Sequence, residues 1–134
     1  MPEERDYSHR TRIQKLGVKP GYRVSVAGIG DLDFDAELVQ AGADFSPRLR
    51  KDSDMIFLGV EATKDLAKLA TAAKSIVPNG AVWVVYPKGV RHITQAQVMA
   101  AILESGLVDV KVCSFSATHT ALKGVIPVAR RNAR

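Results

Sequence analysis

Two glycines and an acid follow the first apolar segment of the chain and form its best candidate for a ligand-binding loop. Residues 23–34 have the sequence RVSVAGIGDLDF, so that Gly28, Gly30 and Asp31 come directly after residues typical of a strand. Glycines at the end of a strand let a ligand approach the backbone, and N–H groups at a helix start bind anions. The same two glycines also suit a tight strand-to-helix turn without a ligand, and both interpretations stay open.

The loop lacks a residue that a dinucleotide site requires. The fingerprint G-x-G-x-x-G needs its third glycine at position 33, where this chain has Asp33, and an acid there repels a pyrophosphate. A nucleoside cofactor without phosphate, such as S-adenosylmethionine, tolerates acids, because carboxylates accept hydrogen bonds from hydroxyls or an amine. We expect Asp31 to accept such hydrogen bonds from a ligand. The residues alone leave the cofactor unknown, and S-adenosylmethionine is the candidate that we name.

Lys88 and His119 complete the predicted site. Lys88 follows an apolar run in the segment YPKG, and His119 lies between two threonines in the segment SATHTAL. A lysine there neutralises a phosphate or a carboxylate, and a histidine beside hydroxyl groups serves as an acid, a base or an anion contact. The alternatives are a solvated lysine and a histidine that bonds within its own turn. No catalytic triad or metal-ligand spacing stands out, so we name no catalytic residue or metal and leave open whether the chain is an enzyme.

Short apolar runs alternate with helical patterns along the chain. Gly17 and Gly106 are expected to end helices, Thr63 to cap one, Thr94 with Gln97 to form a capping box, and Pro78-Asn79-Gly80 to end the third helix. The predicted elements are a helix capped by Ser8 that ends at Leu16, strands over 23–29, 55–60 and 81–86, helices over 33–42, 63–77 and 94–106, a short edge strand within 44–49, and a final hairpin over 107–129.

Continuous apolar runs, as in MIFLGV and AVWVVY, are typical of parallel strands that are covered on both faces. In the final hairpin, Val108, Val110 and Val112 alternate and are expected to share one face. The predicted fold is therefore a three-layer, Rossmann-like α/β sandwich, whose mostly parallel sheet ends in a C-terminal antiparallel hairpin. Ligands bind such sheets beyond the carboxyl ends of the strands, where the glycine loop, Lys88 and His119 are all expected.

Length and composition indicate one ordinary domain. We divide the 134 residues into an N-terminal arm with a short helix, 1–20, and a single α/β domain, 21–134. The chain has no apolar run long enough for a membrane span, no apolar leader and a single cysteine, so we expect a cytoplasmic protein without a membrane partner. Its formal net charge is +5, but no aromatic residues interleave with the basic runs, which favours solvated charge over a nucleic-acid footprint.

Several segments resemble known families. KLGVKPGYRVSVAGIG, DSDMIFLGVEA and AAKSIVPNGAVWVVYPK resemble the core of the class I methyltransferases. LGVKPG, WVVYPKG and above all GLVDVKVCSFSATHTALKGVIPVARR resemble a small bacterial domain family of unknown function with a trimmed methyltransferase-like core. This resemblance covers nearly the whole chain and implies a truncated methyltransferase-like topology, with no established activity.

The chain departs from the class I pattern at three places. The family's third loop glycine falls on Leu32, its strand acid falls on Val26, and residues 31–53 are too few for two strand–helix units, one of which supplies a ribose-binding acid. These departures indicate a degenerate methyltransferase-like domain. We expect it to bind a small anionic or nucleoside-type ligand at the carboxyl edge; the alternative is a non-catalytic interaction module, either a homodimer or a basic adaptor for nucleic acid.

Overall fold

The computed structural model describes residues 11–133, in which helices and strands alternate as the sequence predicts. The elements are α1 (Arg12–Leu16), β1 (Arg23–Ala27), α2 (Leu32–Gln40), β2 (Asp44–Ser46), β3 (Ser53–Gly59), a 3-10 helix (Thr63–Lys68) that continues into α3 (Leu69–Lys74), β4 (Ile76–Pro87), α4 (Gln95–Glu104), β5 (Val108–Ser114), β6 (His119–Val125) and a final 3-10 helix (Val128–Ala133).

The six strands form one sheet in the order β2-β1-β3-β4-β6-β5. Strands β1 to β4 are parallel, and β6 is antiparallel to both of its neighbours, β4 and β5. Buried residues of α1 and α2 pack on one face of the sheet, and those of α3 and α4 pack on the other. This arrangement confirms the three-layer α/β fold with a C-terminal antiparallel hairpin.

The sheet is short on the β2 side. Between β1 and β3 the chain makes only α2 and β2, and β2 is a three-residue edge strand that ends just before Pro47. A proline is tolerated there because an edge strand leaves N–H groups without a ladder partner. The predicted edge strand and the truncated topology are both confirmed.

The predicted helix over 63–77 is wrong in its extent. It begins as a 3-10 helix, and β4 already starts at Ile76, so that Pro78-Asn79-Gly80 lies inside a strand. The pairing explains this difference, because Ser53 faces Ile76 while Met55 faces Ala81, so β4 carries extra residues in a bulge. Strand pairing overrides the local helical pattern.

Two predicted caps are also corrected. Thr63 does not cap its helix, because it is the first residue of the 3-10 helix and Ala62 holds the cap position; the carboxylate of Asp65 accepts the N–H groups of Glu61 and Ala62. Helix α1 begins at Arg12 with Thr11 as its cap, and the predicted cap Ser8 lies outside the described residues.

The other predicted helix ends are confirmed. Gly17 and Gly106 adopt the left-handed conformation, with φ of 84° and 93°. At the start of α4, Thr94 and Gln97 form the expected capping box.

The alternation predicted for β5 is broken by a bulge. Val108 faces Val125 and Val112 faces Leu122, so four steps along β5 match three steps along β6. Asp109 at this irregularity has a φ of 57°. The extra residue moves the valines that follow it to the opposite face from Val108, so the three valines do not share one face.

Helix α1 contributes to the core, since Ile13 and Leu16 are buried beside residues of β1 and α2. The division between 1–20 and 21–134 stays a prediction, and residues 1–10 lie outside the described part. Within 11–133, none of the helices has the length and apolar character that a membrane crossing requires.

Candidate functional site

The carboxyl edge of the sheet holds a cavity of about 270 Å³. One wall is the loop over 28–31 after β1, a second is Gly59 with Glu61 after β3, and the third is the tip of the β5–β6 hairpin. The tip reaches this edge because β5 runs in the same direction as β4, so that His119 pairs with Pro87. Four of the five predicted site residues therefore line one cavity: Gly28, Gly30, Asp31 and His119.

The two loop glycines serve different purposes. Gly28 has a φ of 78°, and a Cβ added to it would lie 3.1 Å from the carbonyl oxygen of Gly59. A Cβ on Gly59 would overlap the carbonyl group of Gly28, lying 2.6 Å from its carbon. Gly28 and Gly59 are therefore required for the close approach of two strand ends. Gly30 has a φ of 67° with no atom within 4 Å of an added Cβ, so its backbone faces open space.

Asp31 lies at the start of α2 and caps it. Its Oδ1 accepts the N–H of Phe34 at 3.0 Å, and its Oδ2 accepts a hydrogen bond from Arg12 at 3.1 Å. Partial burial alone raises the pKa of Asp31, but these hydrogen bonds and the Arg12 charge outweigh burial and bring the pKa below its ordinary value. Asp31 is therefore ionised at neutral pH, and the lone pairs not used by these bonds are available to a ligand.

Arg12 lies behind the cavity wall and connects the residues that form it. Its guanidinium donates to both carboxylate oxygens of Glu37, at 3.0 and 2.9 Å, and to the carbonyl of Phe115 at 3.2 Å. It also lies over the rings of Phe34 and Phe115, 5.0 and 4.8 Å from their centroids. The hydrogen bonds to Glu37 raise the pKa of Arg12 further. With its side chain only 18% exposed, Arg12 is a structural clamp and not the solvated charge that the sequence predicts.

Opposite the glycine loop, Glu61 and His119 join two walls of the cavity. The His119 Nε2 lies 2.9 Å from the Glu61 carboxylate, and its Nδ1 lies 2.8 Å from the Thr118 hydroxyl. The Ser116 hydroxyl accepts the backbone N–H of His119, which fixes the tip. Glu61 is not among the residues predicted from the sequence, although an acid directly after the apolar run MIFLGV is a detectable signal for this edge.

Lys88, the fifth predicted site residue, does not line this cavity. Its ammonium donates to the Ser114 hydroxyl at 3.0 Å, and the residue lines a second cavity of about 290 Å³. Val85 lines the first cavity and packs on the α1–α2 side, whereas Tyr86 lines the second and packs on the α3–α4 side. The two cavities thus share one edge of the sheet but lie on opposite faces. Within residues 11–133, no cluster of His, Cys, Asp or Glu is placed to hold a metal ion.

No family model and no curated protein match the sequence. Solved structures match over most of the chain. A TehB-like SAM-dependent methyltransferase from Corynebacterium glutamicum is 13% identical, with 87% of this chain and 86% of that chain covered and a TM-score of 0.65. A SAM-dependent methyltransferase from Aquifex aeolicus is 15% identical, with coverages of 86% and 87% and a TM-score of 0.60.

The chain has the methyltransferase fold. A third structure, described as a ribosomal protein L11 methylase from Lactobacillus delbrueckii subsp. bulgaricus, supports this at 12% identity, with 87% of this chain and 76% of that chain covered and a TM-score of 0.63. The likeness confirms the methyltransferase-like core that the sequence resemblance implies. Identities this low establish the fold alone, and the activity of this methyltransferase-like domain is therefore argued from its own residues.

Proposed function

We propose that this methyltransferase-like domain binds a nucleoside-type small molecule, with S-adenosylmethionine as the candidate, in the cavity edged by Gly28, Gly30, Asp31 and His119. The observation that carries the proposal is the open backbone of Gly30, which faces a cavity bordered by the carboxylates of Asp31 and Glu61. Carboxylates accept hydrogen bonds from ribose hydroxyls and pair with a cationic amine, whereas they repel phosphates.

The lining of the cavity offers both polar and apolar contacts to such a ligand. Its volume of about 270 Å³ lies just below the range of about 300–1,000 Å³ that is usual for ligand pockets, so part of a nucleoside-type ligand would extend beyond it. Ile29, Val85 and Phe115 supply apolar surface, while Ser116 and Thr118 add hydroxyl groups. S-adenosylmethionine, when bound, supplies an electrophilic methyl group; the residues named here bind and orient it, and we assign none of them to a proton transfer.

Calorimetric titration with S-adenosylmethionine and S-adenosylhomocysteine, supported by thermal unfolding, tests the proposal. We expect saturable binding and a rise in Tm, because a ligand at a hundred times its Kd stabilises the native state by about 2.7 kcal/mol. Thr118→Phe fills an exposed position of the cavity wall and should abolish binding. Lys88→Ala, on the other face of the sheet, is the matched control and should leave binding unchanged.

The proposal fails if neither compound binds, or if Thr118→Phe binds as tightly as the unmodified chain. Absence of any stabilising ligand together with salt-sensitive retention on heparin would favour the alternative of a basic adaptor for nucleic acid, since phosphate contacts weaken steeply with salt. A concentration-dependent mass in solution would favour the homodimer.

A further inference from the structure

Three hydroxyl side chains form a row across the carboxyl edge, on the face that α3 and α4 cover. Tyr86 of β4 pairs with Thr120 of β6, and Thr120 pairs with Ser114 of β5. Residues directly opposite each other in neighbouring strands project to the same face of a sheet. Leu122, two positions further along β6, belongs to the core on that face, so the hydroxyl row marks the end of the core and the start of a polar surface.

The buried member of this row has no hydrogen-bond partner within the described part of the chain. Tyr86 is 5% exposed, its side chain packs on the α4 side, and it lines the second cavity of about 290 Å³. Burial raises the pKa of Tyr86, so its hydroxyl stays protonated and is a donor. The ring of Tyr86 is buried while its hydroxyl reaches the cavity, where this donor is available to an acceptor.

Two other elements bring positive charge close to the same cavity. Lys88 lines it while its ammonium donates to Ser114, and Thr94 and Gln95 place the start of the ten-residue helix α4 in the cavity wall. The capping box uses the N–H groups of Thr94 and Gln97, so those of Gln95 and Ala96 remain for a ligand. The helix dipole favours an anion at this end.

The remaining wall is apolar, and none of the described residues that line this cavity is acidic. Pro87, Val90 and Ile93 supply the apolar surface. The first cavity, by contrast, contains Asp31 and Glu61. A ligand that fits the second cavity therefore needs a negative group, which accepts from the donors of the cavity, and an apolar body, which contacts the rest of the cavity wall.

We propose that the second cavity binds a small organic anion, namely a carboxylate or phosphate monoester on an apolar body. The anionic group lies between Lys88 and the start of α4 and accepts a hydrogen bond from Tyr86. This site lies on the opposite face of the sheet from the nucleoside-type site, and it does not depend on that proposal.

Titrations of the isotope-labelled chain, followed by NMR, test this site with four probes: benzoate, phenyl phosphate, inorganic phosphate and neutral benzyl alcohol. Both aromatic anions should bind and shift the amide signals of Val90, Gln95 and Thr120, and benzyl alcohol should not. Their relative affinities distinguish a carboxylate site from a phosphate site. Inorganic phosphate should bind more weakly than phenyl phosphate, because it lacks the apolar body.

Two conservative variants locate the binding. Lys88→Met should weaken phenyl phosphate binding about tenfold, because it removes a charge-assisted hydrogen bond. Tyr86→Phe should weaken it about fivefold while retaining the packing of the ring. Lys64→Met, an exposed lysine of the first 3-10 helix, is the matched control and should bind like the unmodified chain.

The proposal is overturned if neither aromatic anion binds, if benzyl alcohol binds equally well, or if Lys88→Met and Tyr86→Phe both bind with unchanged affinity. Adding S-adenosylmethionine to the same samples tests the two sites separately. That ligand should shift the amide signal of Gly30, so that absence of binding at one cavity does not affect the result at the other.

Discussion

Gly59 and Gly28 lack side chains, and this lets their backbones approach each other closely at the candidate site. Their backbones approach so closely that a Cβ on Gly59 would overlap the Gly28 carbonyl, and backbone atoms cannot move aside as the end of a flexible side chain can. Gly28 therefore has a packing role as well as a place in the cavity wall. Gly30 has open space above it, and its requirement for glycine comes only from its positive φ.

The two glycines predict different costs of substitution. We expect Gly59→Ala to lower the free energy of unfolding by about 3 kcal/mol or more, because the clash is with backbone. Gly30→Ala should cost about 1–2 kcal/mol, the penalty for an L residue at positive φ. Urea unfolding of both variants measures the difference. Equal losses of unfolding free energy in the two variants would show that the ends of β1 and β3 can move apart without destabilising the fold.

At the scale of the element, two threonines with similar local sequence signals have different roles. Thr94 caps α4 through its side chain and receives the reciprocal bond from Gln97. Thr63 is the first residue of a 3-10 helix, and the carboxylate of Asp65 accepts the N–H groups of Glu61 and Ala62, which precede that helix. The difference arises because the chain after β3 turns at Glu61 and Ala62, one residue earlier than the sequence predicts.

The caps predict a pair of contrasting variants. Thr94→Ala should lower the free energy of unfolding by about 1 kcal/mol, the usual cost of losing a cap. Thr63→Ala should change it by less than about 0.5 kcal/mol, as for an exposed residue outside such features. Chemical denaturation of the two variants gives the comparison, and a larger loss for Thr63→Ala would contradict the capping that the structure shows.

At the scale of the whole molecule, Arg12 joins parts of the chain that are far apart in sequence. Its guanidinium links α1 to α2 through Asp31 and Glu37, and to the hairpin tip through Phe115, which is 103 residues away. The N-terminal helix is thereby attached to the hairpin that forms one wall of the first cavity. Loss of this clamp affects both stability and the placement of that wall.

Arg12→Met should lower the free energy of unfolding by about 2 kcal/mol at neutral pH, because it leaves partly buried carboxylates without their partner. The pKa of Asp31 is lowered in the fold, so the stability from its pair with Arg12 is complete above the unfolded value of about 4. That stability disappears as the pH falls through the lower folded value.

The difference in the free energy of unfolding between Arg12→Met and the unmodified chain should therefore become smaller below about pH 4. Urea unfolding at pH 7, 5 and 3 measures it. Lys15→Met, on the same short helix, is the control and should be close to neutral at each pH. If this difference in the free energy of unfolding stays constant with pH, Arg12 stabilises the fold through its contacts with the two rings and not through its ion pairs.

Much of the fold follows from local patterns. The continuous apolar runs predict the parallel strands β3 and β4, and Pro47 predicts an edge position for β2. The capping box at Thr94 and the left-handed Gly17 and Gly106 are set by residues within one helical turn. Such signals depend only on neighbours along the chain, which is why the sequence alone determined them.

Other features depend on contacts between distant segments. The bulge in β4 arises from its pairing with β3, and it turned a predicted helix end into a strand. Glu61 meets His119 across 58 residues. Lys88 belongs to the other face of the sheet from the glycine loop, although both follow strands at the same edge.

The sequence by itself determined that apolar strands bring Gly28, Gly30, Asp31 and His119 to one edge of a Rossmann-like sheet. Only the tertiary structure decided that Glu61 joins them, that Lys88 does not, and that Arg12 is partly buried in an ion-pair network. The physical reason is that strand direction is encoded in local hydrophobicity and turns, whereas the face on which a loop side chain lies depends on register and packing against remote residues.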